Sequence, residues 1–415
     1  MSVQEKISKM LNLGPQKTVK MVAVKWKKRE KGNGKSINST RKRILDQIFQ
    51  NNYKRVVIFE NHFGYYNIMM QRPQHLLRNI GDKETLVLYN SYYDIDFEDK
   101  NRITQIAQSF YVLDLFFYRK YLLELVKNIP CKYLCVYSTD TVPLSRIEEY
   151  LKYEFRIIYE YVDDINPELI SPRKISLVLE RHSFLLQNKN VLTVATADKL
   201  YKNAAHVNGK SKLILLSNGA ECDRFSPSEM TDNKEYRNWI RKDKIKVGYY
   251  GALASWIDYE LLQYLAADNK FQIILIGVEH DNTLKESGLL ELENVKYFGR
   301  KPYRELAGYV HFFDVCIIPF LINDITKATS PVKLFEYMAM EKPIVTTALS
   351  ECMKYDVVEI AYTQEEFRDK IYKSWNERED IEKKEELRQC AWENDWSAKA
   401  QKLKCYLSKW EYNEG

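Results

Sequence analysis

Metal-binding and disulfide patterns are missing from this sequence. Its seven cysteines are an odd number, and none forms a Cys-x-x-Cys pair or sits at metal-ligand spacing. That excludes a disulfide scaffold and a zinc module, and it is the pattern of reduced thiols in a cytosolic protein. There is no leader with an apolar central region, which points the same way. No apolar run reaches the roughly 18 residues a spanning helix needs. The best candidate, YVLDLFFYRKYLLELV, is interrupted by Asp114, Arg119 and Lys120. No nucleic-acid fold signature accompanies the basic residues, so no nucleic-acid partner is expected.

What is present describes a two-domain globular protein. The 415 residues are 45% apolar and 29% charged, too long for one ordinary core and too apolar for disorder. The 30 tyrosines against 17 phenylalanines fit half-buried positions or a sugar-contacting surface. The net charge of +6 is uneven. Residues 1–43 hold thirteen Lys or Arg and two Glu, a net +11, so the other 372 residues carry −5. KWKKREKGNGKSINSTRKR reads as a solvated tail or as an electrostatic attachment to an anionic membrane, at about 1 kcal/mol per basic residue. The preceding VQEKISKMLNLG fits a short amphipathic helix with an apolar Val/Ile/Met/Leu face.

Strand-length apolar runs then alternate with helical patterns. YKRVVIFE, ETLVLYN, KYLCVYS, FRIIYEYVD and NVLTVAT form one series; KIKVGYYG, FQIILIG, NVKYFG, DVCIIPF and PIVTTA form a second. Such alternation predicts an α/β fold with parallel sheets covered on both faces. The organisation expected is a basic extension over 1–43, a Rossmann-like domain over 44–228, and a polar linker over 229–243. A second Rossmann-like domain follows over 244–392, and a final long helix over 393–415. Ligands would lie in the cleft, at the carboxyl ends of the strands.

SPVKLFEYMAMEKPIV carries the most chemistry. Ser330 suits an N-cap and Pro331 the first helical turn. The free amides there favour a phosphate. Lys333 lies in the first turn, and Glu336, three residues on, shares its flank. A carboxylate so placed accepts hydrogen bonds from two adjacent hydroxyls, such as a ribose diol. The competing reading is a surface ion pair worth a few tenths of a kcal/mol.

This segment resembles the carboxyl-terminal signature of retaining GT-B glycosyltransferases, most of all the broad family 4. YFGRKPYRELAGYVHFFDVCIIPF resembles the strand, helix and strand that lead into it. LLSNGAECDRFSP resembles the family's passage at the end of the amino-terminal domain, with Asn218, Gly219, Phe225 and Pro227. MQRPQHLLRNI and YEYVDD resemble motifs of the cell-wall and capsule branch, including teichuronic-acid-type transferases. The resemblance implies two Rossmann-like domains facing across a cleft, with a C-terminal helix crossing back to the first. It implies transfer of a sugar from a nucleotide-diphosphate-sugar, UDP-sugar favoured, to a lipid-linked glycan. Anomeric retention, no metal and no cofactor are expected.

Carried over by position, the resemblance assigns Glu336 to the donor ribose and the amides of Ser330 to Val332 to the diphosphate cradle. Lys333 adds charge for the leaving group. Gly251 and Gly277 end strands against the phosphates, and Gly299, Arg300 and Tyr303 fall in the nucleobase loop. Two departures stand out. Ala328 occupies the position, eight before Glu336, where the family carries a carboxylate, which moves that role to Asn323 or Asp324 or removes it. GALASW lacks the family's phosphate arginine, so Lys333 or Arg300 must supply the charge.

The acceptor would lie on the amino-terminal domain. His62, Gly64, Tyr65, Arg72 and His75 follow its first strand, with Gly64 allowing close backbone approach, the tyrosines stacking on sugars and Arg72 anchoring a phosphate. Asp164 ends another strand at the cleft. The reading is a cytoplasmic enzyme at the inner face of the membrane. The alternatives are a nucleotide-sugar epimerase and a catalytically silent GT-B subunit, the latter favoured by Ala328.

Overall fold

The computed structural model describes residues 34–61, 64–66, 70–140, 142–166, 170, 172–208 and 212–412. Two sheets organise them. The first runs β3-β4-β2-β1-β5-β6-β7-β8, from β1 Arg55–Phe59, β2 Thr85–Asn90, β3 Ile103–Ala107, β4 Phe110–Leu113, β5 Cys131–Tyr137, β6 Arg156–Tyr161, β7 Val191–Ala195 and β8 Leu213–Leu215. Every pairing is parallel except β3 with β4. The second runs β11-β10-β9-β12-β13-β14, from β9 Ile245–Tyr250, β10 Phe271–Ile276, β11 Val295–Tyr297, β12 Val315–Ile318, β13 Ile344–Thr347 and β14 Glu359–Ala361. All its pairings are parallel.

The near-continuous apolar runs follow from this arrangement. A parallel strand covered on both faces has no solvent side to alternate toward, and all six residues of β2 and of β10 are buried. Strand order reverses at β1 in the first sheet and at β9 in the second. Loops leaving the carboxyl ends of the two flanking strands diverge there, which opens a crevice in each domain.

Two boundaries differ from the sequence expectation. The helix Gly34–Phe49 runs through residue 43, because it packs on the first domain: Leu45 and Ile48 are buried, and Arg41 donates to the carbonyls of Lys100 and Asn101. The stretch 229–243 is a packed part of the second domain. Tyr236, on the helix Lys234–Trp239, is fully buried and its hydroxyl donates to the Tyr309 carbonyl. The second core already begins near Ala220. The final helix expected over 393–415 is Trp396–Tyr412, which follows the helix Ile381–Glu393. They break where Asp395 turns to accept from the amides of Cys222 and Ser397. The last helix lies on the first domain, with Trp396, Ala400, Leu403 and Leu407 in its core. The helix expected over 3–14 lies outside the described residues.

Candidate functional site

The crevice of the second domain is built around two glycines. Gly251 follows β9 with φ 144° and Gly277 follows β10 with φ 147°, both left-handed side values that favour glycine. A Cβ on Gly277 would lie 1.7 Å from the Gly251 carbonyl oxygen. The Gly251 amide donates to the Ile276 carbonyl at 2.9 Å, and the Gly277 amide to the Gly299 carbonyl at 3.0 Å. Backbone therefore packs on backbone across the two strand ends.

The helix Val332–Ala339 opens onto this pair. Pro331, not Ser330, is its N-cap residue, and no side chain caps it. Ser330 instead faces the first domain: its hydroxyl accepts from the Asn218 amide at 3.1 Å and its carbonyl from the Asn218 side chain at 2.7 Å. First-turn amides have no carbonyl four residues back within the helix, so Val332 and Lys333 point N–H groups outward at the positive end of the dipole.

Lys333 lies against Gly251, where a Cβ would be 2.8 Å from its Cε. Its ammonium sits 5.2 Å from the Tyr249 ring centroid and 4.8 Å from that of Phe320. Burial among these groups pulls its pKa down to about 8, with Glu336 pushing the other way. No ion pair of Lys333 is present among the described residues. Arg300 is half-buried beside Gly299, and burial lowers its pKa too. The Lys333 ammonium lies beside Gly251.

Glu336 is 2% exposed. Its Oε2 accepts from the Tyr250 hydroxyl and its Oε1 from the Tyr303 hydroxyl at 2.9 Å. Burial raises its pKa, and the two tyrosine donors and the Lys333 charge oppose that. An ionised carboxylate oxygen has two lone pairs, so each oxygen retains capacity for a ligand hydroxyl. Tyr250 was not singled out in the sequence. The signal was its place one residue before Gly251, at the end of a strand.

Ala328 is 1% exposed and packs in the first domain's core, in one cluster with Ala197, Leu200 and Ala204. The nearby polar residues are engaged elsewhere. Asn323 and Thr326 hydrogen-bond reciprocally at 3.0 and 2.9 Å. Asp324 binds Lys199, which also pairs with Asp164 at 3.1 Å. Asp164 thereby holds Lys199 within the first domain, and Lys199 reaches across to Asp324 in the second.

The first domain's expected acceptor residues separate. His62 lies outside the described residues. Tyr65 is 3% exposed, with its ring among Tyr89 and Phe110; it is core and not a sugar platform. Gly64 is closed in by Asp96, whose carboxylate would be 2.7 Å from a Cβ and holds the amides of Tyr65 and Tyr66. The close approach there is internal. Arg72 is 2% exposed, bound to Glu160 at 2.5 Å and to the Ser217 carbonyl at 3.0 Å. Its charge is spent inside the fold because a buried carboxylate needs a partner.

Among the described residues of this group, His75 alone reaches the second domain. It is the fourth residue of the helix Arg72–Ile80, stacks on Trp396 at 5.3 Å, and lies 5.1 Å from the Tyr303 ring. Its Nδ1 is 2.8 Å from Glu221. Burial pushes the Glu221 carboxyl up, but His75 and Arg224 outweigh it and hold the pKa at about 2. The structure therefore gathers Gly251, Gly277, Tyr303, Lys333, Glu336 and His75 at one cleft, with Ser330 tying its two walls together.

Residues 247–374 match the family model described as glycosyl transferases group 1. The chain is 24% identical over 190 residues to TuaH of Bacillus subtilis (strain 168), provisionally described as a teichuronic acid biosynthesis glycosyltransferase. That match covers 45% of this chain and 47% of that protein, so the chain spans about half the length of the curated relative. Among solved structures, sucrose-phosphate synthase from Thermosynechococcus elongatus superposes with TM-score 0.63 at 13% identity, over 87% of this chain and 100% of that one. Anabaena HepE, solved with UDP and glucose, gives 0.60 at 14%, over 85% and 99%. WaaG, a glycosyltransferase involved in lipopolysaccharide biosynthesis, gives 0.54 at 13%, over 84% and 98%. The chain has the two-domain GT-B architecture, and residues 247–374 of its second domain are similar to group 1 glycosyl transferases.

Proposed function

We propose that this chain moves a sugar from a nucleotide-diphosphate-sugar to a lipid-linked glycan in cell-surface polysaccharide synthesis. The observation that carries the reading is Lys333: an ammonium on the first turn of a helix, beside two glycine strand ends. A diphosphate there meets a cation, outward amides and a helix dipole in one place. UDP is favoured as the nucleotide, since HepE of the same fold was solved with UDP and with UDP-glucose. The similarity to TuaH supports the polysaccharide role.

In this reading Glu336 holds the ribose diol, with Tyr250 and Tyr303 fixing its orientation. The bond between the sugar's anomeric carbon and the diphosphate oxygen breaks, and the acceptor hydroxyl bonds to that carbon from the same face. The hydroxyl proton passes to the departing phosphate oxygen, and the configuration is retained. Lys333 and the Val332 and Lys333 amides stabilise the charge growing on the leaving group, so the step needs no metal. Residues 1–43 would hold the enzyme at the inner face of an anionic membrane.

The test is a thermal-shift panel with UDP, GDP, ADP and CMP. UDP is expected to raise the Tm, and ligand at about 100 times Kd adds roughly 2.7 kcal/mol. Glu336→Ala should abolish the shift. No shift with any nucleotide would refute the donor assignment. A second reading, a silent binding subunit, draws on Ala328 being buried in the first domain's core. Transfer by the purified chain would exclude it, and product formed without acceptor would instead indicate an epimerase.

A further inference from the structure

We propose that Phe116 and Phe117, on the first domain, dock an anionic bilayer and bring the mouth of the cleft to it. The inference rests on the acceptor being lipid-linked.

Phe116 is 63% exposed and Phe117 43%. They are the exposed phenylalanines among the described residues. Their rings meet edge to face at 5.0 Å, forming one apolar ridge on the first turn of the helix Leu115–Leu125. Basic residues lie on the two helices that meet here, Gly34–Phe49 and Leu115–Leu125. The Arg41 guanidinium lies 3.9 Å over the Phe117 ring and Lys42 4.8 Å over Tyr121, while Lys42, Arg43 and Lys120 are exposed and Arg119 is partly so. Several neighbouring carboxylates are already engaged. Arg102 holds Asp114 at 2.6 Å and Asp94 at 2.7 Å, the Tyr121 hydroxyl binds Asp46, and Lys127 pairs with Glu124. An aromatic ridge beside basic residues suits the boundary between acyl chains and anionic headgroups.

Two further observations select a bilayer as the occupant. The helix Gly34–Phe49, which supplies Arg41, Lys42 and Arg43, continues from thirty-three residues carrying nine Lys or Arg and two Glu. The ridge is therefore continuous with the most basic part of the chain. It also stands at the carboxyl edge of the first sheet. The Leu115 amide donates to Asn90, which ends β2, at 3.0 Å, and Arg119 reaches Glu60, just beyond β1, at 3.9 Å. That edge faces the donor domain. A bilayer seated on the ridge would present a membrane-anchored acceptor at the cleft mouth.

The experiment is flotation of the full chain with vesicles of phosphatidylglycerol and phosphatidylethanolamine, against phosphatidylcholine alone. The double variant Phe116→Ser/Phe117→Ser should lose about tenfold or more in affinity for the anionic vesicles while keeping the UDP-induced thermal shift. Should that variant misfold by circular dichroism, Phe116→Ser alone and Lys120→Glu decide, each expected to weaken binding several-fold. Unchanged vesicle affinity overturns the proposal. So does a changed oligomeric state with vesicle affinity intact, which would make the ridge a contact between copies. Loss of vesicle binding in a chain that never responds to UDP would support docking while refuting the donor reading.

Discussion

Lys333 is held among aromatic rings with a lowered pKa, and its charge state sets two expectations. Donor binding should weaken as pH rises through about 8, because the amine loses the charge that meets the diphosphate. Lys333→Arg, whose guanidinium stays protonated, should bind UDP without that decline, as calorimetry across pH 7–9.5 would show. For folding the sign is opposite. The folded pKa is depressed, so the unfolded chain binds more protons between about 8 and the ordinary lysine value near 10.4. The penalty for burying this ammonium is full below pH 8 and is relieved above it. Lys333→Ala should lower kcat by about 10²–10³, the scale of one lost donor to a developing anion, with the Tm little changed. Gly277→Ala is the structural counterpart. Its methyl would fall on the Gly251 carbonyl, and about 1–3 kcal/mol of lost stability is expected in urea titration.

At the scale of elements, the last helix fastens the end of the chain to the first sheet. Arg55 on β1 grips both carboxylate oxygens of Glu411, at 2.7 and 2.6 Å, and the Tyr133 hydroxyl donates to it at 2.8 Å. Burial pushes the Glu411 pKa up, but Arg55 and Tyr133 outweigh it and hold it below the ordinary value. The stability this adds is present above the unfolded pKa near 4.3 and is lost as pH falls through the lower folded one. Glu411→Gln should therefore cost about 1–2 kcal/mol at neutral pH, and denaturation near pH 3 should show the difference shrinking. The element boundaries also mark where sequence reading reached its limit. Strands of continuous Val, Ile and Leu were legible because two-sided burial forces that composition. The antiparallel β3 was not, because ITQIA, half-exposed at a sheet edge, lacks that demand. The break at Asn394–Asp395 depends on hydrogen bonds to Ala220 and Cys222, far away in sequence.

Across the whole molecule the cleft is spanned by polar struts: Asn218 to Ser330, Lys199 to Asp324, and Lys354 to Asp198. His75 against Tyr303 adds an aromatic contact. Such partly exposed struts are individually weak and screened by salt, which suits two domains that part to exchange ligands. Lys199→Glu sets a like charge against two aspartates. At low salt it should enlarge the radius of gyration in small-angle scattering, and 0.5 M salt should reduce the effect.

The sequence by itself determined the two parallel sheets, their loops at the carboxyl edges and the Lys333–Glu336 pair, since each depends on local periodicity or helical spacing. Tertiary structure decided which polar groups face a ligand. Arg72, Tyr65 and Gly64 look as available in the sequence as His75 does. Yet Glu160, Asp96 and Tyr89 come from distant strands and loops to claim the first three. Tyr250 and Tyr303, 53 positions apart in the chain, converge on Glu336 only because β9 and the loop after Gly299 end at the same crevice. Burial demands partners for polar groups, and only the folded chain shows which partners are within reach.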